Sequence, residues 1–261
     1  VKNQIGETIS RYGLVQIIPH PYDPYNKFRL RFENAYINRI FEKNHRLREF
    51  MVEDEKKNWA ILGGHRGVFK QRALNEGWPI EDIGGFFDGD SLEISLRDQM
   101  KKNGGTFAPR HYQWAAVNAW HQEGHPSGGY GVVVLACGAG KTIVGLTAMS
   151  MVKRKTLILA TNQASVNQWI SEILDKTTIS PDDIGAYTGE SKEIRPVTVA
   201  TYQIITYRRS KESEFEHLHL FDDEDWGLVI YDEVHLLPAP VFGVTASLQG
   251  RRRLGLTATL I

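Results

Sequence analysis

Several short stretches of this 261-residue chain carry side chains suited to phosphate chemistry. In Leu135-Ala-Cys-Gly-Ala-Gly-Lys-Thr142, the small residues Gly138, Ala139 and Gly140, with Cys137 ahead of them, let backbone N–H groups close around phosphate oxygens at a helix start. Lys141 would reach the β- and γ-phosphates, and the Thr142 hydroxyl would ligate Mg2+. Leu135 stands where the general pattern has its first glycine, so the strict pattern is not met. A second stretch, Trp226-Gly-Leu-Val-Ile-Tyr-Asp-Glu-Val-His235, is an apolar run ending in two carboxylates. Asp232 would hold Mg2+, and Glu233 would orient or deprotonate an attacking water. An Asp-Glu pair alone is usually a solvated surface feature; its place after a buried run reverses that reading. A third run, Leu254-Gly-Leu-Thr-Ala-Thr259, ends in the hydroxyls of Thr257 and Thr259, which can bond the Asp-Glu-Val-His segment and relay nucleotide state. In isolation it is equally well a Thr-rich strand end. Upstream, Phe107-Ala-Pro-Arg-His-Tyr-Gln-Trp114 offers Arg110 and the amide of Gln113, which can pair with the N6/N7 edge of adenine. Without the other stretches it would be an exposed helical glutamine.

These residues need a frame that gathers them. Continuous apolar runs at 131–136, 155–160, 197–200, 226–231 and 254–256 suit strands covered on both faces. Helical stretches at 143–152 and 165–174 lie between them. Such alternation predicts an α/β fold, a doubly wound parallel sheet with its ligand at the carboxyl ends of the strands. Before residue 105 the elements are smaller: strands at 14–20, 28–33, 49–52 and 59–62, and helices at 35–42 and 66–75, the second ending at Gly77. Residues 82–98 read as turn-rich and 101–106 as a linker, which puts a small mixed α/β domain at 1–105 and the parallel-sheet domain at 106–261.

Composition bounds the classes available. Hydrophobic residues at 41% and charged residues at 24% exclude disordered and fibrous classes. The lone Cys137 excludes a disulfide framework or a cysteine-built metal site, and fits a reducing compartment. No window approaches the roughly 18 apolar residues of a membrane span, so a cytoplasmic protein without membrane contact is expected. The 31 basic and 31 acidic residues cancel. Yet residues 27–72 hold 12 basic and 6 acidic, a net of +6, and residues 76–98 hold 1 basic and 7 acidic, a net of −6. Overall neutrality therefore says little about partners, while 27–72 is the place to expect phosphate contact.

Taken in order, the four stretches resemble XPB-type superfamily 2 DNA repair helicases, closest to the bacterial and archaeal branch. The resemblance covers 107–261 closely and 82–96 more loosely, through Gly84-Gly-Phe-Phe-Asp-Gly-Asp90. It implies a first RecA-like motor domain with ATP and Mg2+ as cofactors and 3′→5′ movement on DNA in nucleotide excision repair. Lys141, Asp232 and Glu233 take the catalytic places. Gln113, Arg110, Cys137, Gly138, Ala139, Gly140, Lys141 and Thr142 hold nucleotide, and Thr142 and Asp232 hold Mg2+. His235, Thr257 and Thr259 couple nucleotide state to DNA; His235 alone would more often be a structural histidine. Thr161-Asn-Gln-Ala-Ser-Val-Asn-Gln-Trp169 and Thr201-Tyr-Gln203 stand where the family has segments facing DNA. The region 14–80 has the size of a damage-recognition domain, with Arg29, Arg31, Lys56, Lys57, Arg66 and Lys70 as candidate DNA contacts, though a solvated basic face explains them equally well. Tyr22, Tyr25 and Trp59 are candidates for base stacking, and Arg251-Arg-Arg253 for a further contact. The family's second motor domain is an expected partner, as is a companion nuclease. Without that domain and its arginine fingers, weak nucleotide binding and almost no hydrolysis are expected. Other readings stay open: a nucleotide-regulated DNA-binding module, or a double-stranded DNA translocase that never separates strands.

Overall fold

A computed structural model of the chain describes residues 10–22, 27–62, 65–85, 88–125, 128–209, 216–217, 220, 225–237 and 252–259. They form two compact units, the first ending and the second beginning between Gly85 and Asp88.

In the first unit, alternation sets the buried face. β1 (Val15–Pro19) and β2 (Lys27–Phe32) pair antiparallel with Ile17 opposite Leu30, and Phe28 and Leu30 point inward while Arg29 and Arg31 alternate outward. β3 (Met51–Glu53), β4 (Trp59–Leu62) and the short β5 (Glu81–Asp82) complete a mixed sheet in the order β3-β4-β2-β1-β5. Helix α1 (Ala35–Lys43) begins at Asn34, whose side chain accepts from the Ile37 N–H at 3.0 Å, and it buries Ile37 and Phe41. A single turn, α2 (His45–Arg48), follows, and α3 (Arg66–Asn75) gives way to Gly77 in the left-handed region (φ 80°).

The second unit contains a parallel sheet of six strands in the order β6-β11-β10-β7-β9-β8. In chain order these are β6 (Tyr130–Val134), β7 (Thr156–Ala160), β8 (Ile184–Tyr187), β9 (Val197–Thr201), β10 (Leu228–Asp232) and β11 (Arg252–Thr257). Helices α4 (His111–His121), α5 (Lys141–Val152), α6 (Gln163–Lys176) and the turn α7 (Tyr202–Ile205) connect or flank them. Every residue of β7 and of β9 is buried, as a strand covered on both faces requires. β6 departs from that expectation. It is an edge strand paired with β11, and Tyr130, Val132 and Val134 on one face are exposed.

The division of the chain also differs from the sequence expectation of a boundary near 105. Leu92 and Ile94 are buried in the core of the second unit. Backbone bonds run from the Asp90 N–H to Asp225, from the Lys155 N–H to Asp90 and from the Leu92 N–H to Lys153, and Arg97 donates to the Lys176 and Thr177 carbonyls. Gly89 and Gly227 lie against each other so closely that a Cβ on Gly89 would sit 2.2 Å from the Gly227 nitrogen. The expected linker 101–106 is tied down as well, the Lys101 and Lys102 N–H groups donating to Asp175. A segment rich in turns is thus a strap belonging to the parallel sheet.

Candidate nucleotide and metal site

The carboxyl ends of three neighbouring strands collect the residues singled out above. In the register, Asp232 lies opposite Leu256 and Thr257 opposite Val134, so the ends of β10, β11 and β6 lie side by side. The loop after β6 turns with the Ala139 N–H donating to Ala136 O at 3.1 Å, and Gly138 (φ 77°) and Gly140 (φ 82°) take left-handed conformations before α5 opens at Lys141. A Cβ on Gly138 would meet nothing within 4 Å, so that glycine is required by its backbone conformation and not by crowding. Cys137 is exposed, and Thr142 lies in the first turn of α5.

Gln113 is buried, and its amide braces the loop. Its Oε1 accepts from the Arg110 N–H at 2.8 Å, and its Nε2 donates to Ala139 O at 3.0 Å. Pairing with adenine would require exchanging these bonds. Tyr112, which the sequence reading passed over, donates its hydroxyl to the same Ala139 oxygen at 2.8 Å, and the exposed Arg110 guanidinium reaches the Tyr112 hydroxyl at 3.2 Å.

Across from the loop, Lys141 Nζ lies 3.1 Å from Glu233 Oε1. Glu233 holds a left-handed backbone (φ 49°, ψ 54°), uncommon for a residue with a side chain. Its Oε2 is buried without a hydrogen bond, 3.4 Å from His235 Nδ1. His235 Nδ1 is 2.8 Å from Thr257 Oγ1, and the Thr257 hydroxyl bonds the backbone of Thr259. Three of the expected coupling positions therefore touch, Thr259 through its main chain. Asp232 is pushed above the usual carboxylate range by burial, aided by the charge of Glu233 and opposed by the Trp169 hydrogen bond and the Lys141 ammonium. Trp169 Nε1 donates to Asp232 Oδ2 at 3.0 Å, and Tyr202 donates its hydroxyl to the Asp232 backbone oxygen at 2.8 Å. Both aromatics lie in stretches the sequence reading had marked, for a different reason.

A metal-bound nucleotide fits this donor set. Thr142 and Asp232 offer hard oxygens, which suit Mg2+ held by one or two protein ligands together with phosphates. An occupant would also give the buried Glu233 Oε2 the hydrogen-bond partner it lacks in this structure.

The six candidate DNA contacts of the first unit do not behave alike. Arg66 is buried; its guanidinium grips the Asp82 carboxylate, donates to Gly85 O at 2.6 Å and stacks on Phe28. This corrects the expectation for Arg66, which holds the fold together. Lys70 reaches the same carboxylate at 2.7 Å. Burial raises the proton affinity of Asp82, but the hydrogen bonds and charges of Arg66 and Lys70 outweigh it and hold the group below its ordinary value. Arg29 pairs with the buried Asp54 at 2.7 Å, Arg31 bonds Gln16, and Lys56 bonds and stacks on Tyr22. Lys57 is exposed on a left-handed turn (φ 58°). Trp59 donates to Glu42 at 2.9 Å beneath the Arg48 guanidinium, and Tyr22, though exposed, carries the Lys56 ammonium over its ring. Arg252 pairs with Asp88 at 3.3 Å. Tyr25 and Arg251 lie outside the described residues.

A parallel sheet with a phosphate-loop motif after one strand and an Asp-Glu pair two strands away is the arrangement of a RecA-like motor domain. The chain belongs to the family described as Type III restriction enzyme, res subunit, whose model matches residues 106–261. It is also 44% identical over 259 residues to the DNA 3'-5' helicase XPB of Kineococcus radiotolerans, covering 98% of this chain and 43% of that protein. The DNA 3'-5' helicase XPB of Mycobacterium tuberculosis is likewise 44% identical, over 98% of this chain and 44% of its own length. In Encephalitozoon cuniculi, the general transcription and DNA repair factor IIH helicase/translocase subunit XPB is 36% identical over 98% of this chain and 38% of that subunit. The chain spans less than half the length of these curated relatives. The similarity to XPB-type helicases covers both units, the first as well as the motif-bearing second. Among solved structures, the T4 UvsW crystal structure superposes with a TM-score of 0.51 at 17% identity, over 94% of this chain and 52% of that one, a likeness of fold. No helix among the described residues is long and apolar enough to cross a membrane.

Proposed function

We propose that this chain is the ATP-binding front part of a DNA helicase or translocase moving 3′→5′ in nucleotide excision repair, with DNA as its partner and the cytoplasm as its compartment. One observation carries the reading: the phosphate-loop lysine, the Asp-Glu pair and the His235–Thr257 contact meet at the ends of three adjacent parallel strands. Bound Mg-ATP supplies the transferable γ-phosphoryl group. Lys141 and the backbone of 138–140 hold the phosphates, Thr142 and Asp232 hold Mg2+, and Glu233 orients the attacking water. Lys141, turned toward the phosphates, would release Glu233, whose carboxylate would then be available to a water. His235, bonded to Thr257, carries the change toward the DNA side. The first unit serves damage recognition. A second motor domain supplies arginine fingers, and a companion nuclease acts beside the motor. Alone, this segment binds nucleotide and hardly hydrolyses it.

ATP turnover with and without DNA, in a chain long enough to include a second motor domain, tests the proposal with Lys141→Ala as control. DNA-stimulated turnover that disappears in the control supports it; an intact long chain without stimulated turnover sinks it.

A further inference from the structure

The Asp232 carboxylate is held from an element that carries none of the phosphate-binding residues. Helix α6 starts at Asn162, whose side chain accepts from the Ser165 N–H at 2.9 Å, and two turns later Trp169 enters the core with 1% of its surface exposed. Its indole N–H donates to Asp232 Oδ2 at 3.0 Å. The rim of the same ring lies on α5, the helix opened by Lys141 and Thr142. A Cβ on Gly145 would come within 2.5 Å of the Trp169 Cη2. Gly145 therefore clears the space in which one ring can touch the phosphate-loop helix at one end and bond the carboxylate at the other. A second aromatic donor acts on the main chain: Tyr202, buried at the start of α7 just after β9, donates its hydroxyl to Asp232 O at 2.8 Å. One Asp232 carboxylate oxygen and its backbone carbonyl are thus held before any ligand arrives.

We propose that Trp169, with Tyr202 behind it, is a positioning residue that presets the Asp232 carboxylate for the metal of a bound metal–nucleotide complex. The assignment rests on the nucleotide-site reading above and adds the residues that aim the metal ligand. A partner that orients a ligating carboxylate typically changes metal affinity by about 10–100-fold when removed. Replacing indole by phenyl keeps an aromatic ring in the core but deletes the N–H together with the ring edge that faces Gly145. Tyr202→Phe removes one donor with little loss of apolar packing, whereas Trp169→Phe removes a donor and also opens a small cavity, whose effect the metal-free arm and the melting temperature report.

The test is binding of a fluorescent ATP analogue to this chain, once with Mg2+ and once with EDTA, with the melting temperature followed in parallel. The readout is the ratio of the two affinities. Trp169→Phe should keep the EDTA affinity and lose roughly 10-fold of the enhancement given by Mg2+. Tyr202→Phe, acting one bond further back, should lose less. Mn2+ titration of the nucleotide-bound chain by paramagnetic resonance reads the same loss without turnover. A Mg2+ enhancement unchanged in Trp169→Phe overturns the positioning role, and so does an equal fall with and without metal, since that marks a packing effect. No analogue binding by the unsubstituted chain would instead overturn the nucleotide reading and, with it, this one.

Discussion

Both units bring a basic side chain against an acidic one in a partly or wholly buried setting, but the two pairings are built differently. In the first unit, Arg66 clasps Asp82 with its fork, Lys70 joins the same carboxylate, and a backbone carbonyl takes a further guanidinium N–H. Every group there has a partner by design, and the result is a cross-tie between α3 and the end of the sheet. In the second unit, Lys141 meets Glu233 by a single contact. One Glu233 oxygen lacks a hydrogen bond, and the residue sits on a left-handed backbone. A charge pair that is fully satisfied stabilises a fold. One left incomplete at the ends of parallel strands is available for exchange with a ligand.

The contrast can be broken most sharply at Glu233. Glu233→Gln in a long chain should lower DNA-stimulated hydrolysis by roughly 10²–10⁴-fold while nucleotide still binds; hydrolysis near the wild-type rate would remove the functional half of the comparison. Next comes Arg66→Ala, which strands the Asp82 charge. Breaking such a buried pair costs about 3–5 kcal/mol, read by chemical denaturation, and Lys141→Ala should cost clearly less. Equal losses in the two variants would show the pairs to be alike. A smaller effect is expected at Gly145→Ala, where the added methyl must displace the Trp169 ring at a cost of about 1–3 kcal/mol in the second unit. A melting temperature no lower than that of the parent would show the ring to be loosely seated. Least in size is the response to acid. Asp82 is held below its ordinary value, so it binds its proton less readily folded than unfolded. Its contribution to stability is present above the unfolded carboxylate value of about 3.9 and is lost as pH falls through the folded value. Asp82→Asn should flatten that part of the stability profile of the first unit.

How much of this was readable beforehand follows from the range over which each signal acts. The runs at 155–160 and 197–200 announce themselves because strands buried on both faces need no polar alternation, and β7 and β9 are such strands. The run at 131–136 looks the same in sequence yet forms the edge strand, since an apolar run does not encode its place in the sheet order. The bounds of α4 escape because its buried stripe, Gln113, Val117 and Trp120, contains an amide where the helical period wants an apolar residue. That amide faces inward to bond the phosphate loop. Lys141, Glu233, His235 and Thr257, singled out by motif spacing, lie in contact with one another in a chain from the phosphate loop to β11. By contrast, the fate of Arg66 depends on a carboxylate 16 positions away, and that of Trp169 on one 63 positions away. Neither pairing has a local signature, so charge counting assigned the first outward and the family resemblance assigned the second to DNA.

The strap at 88–98 bears on how this protein can be taken apart or exchanged between relatives. With Gly89 pressed on Gly227, and Leu92 and Ile94 inside the core, the strap is inherited with the parallel sheet even though it reads like a tether. A gene cut at residue 105 would deliver a motor missing part of its own interior. A crossover ahead of Asp88 would transplant it whole. Position 89, meanwhile, tolerates only the one amino acid that has no side chain to trim.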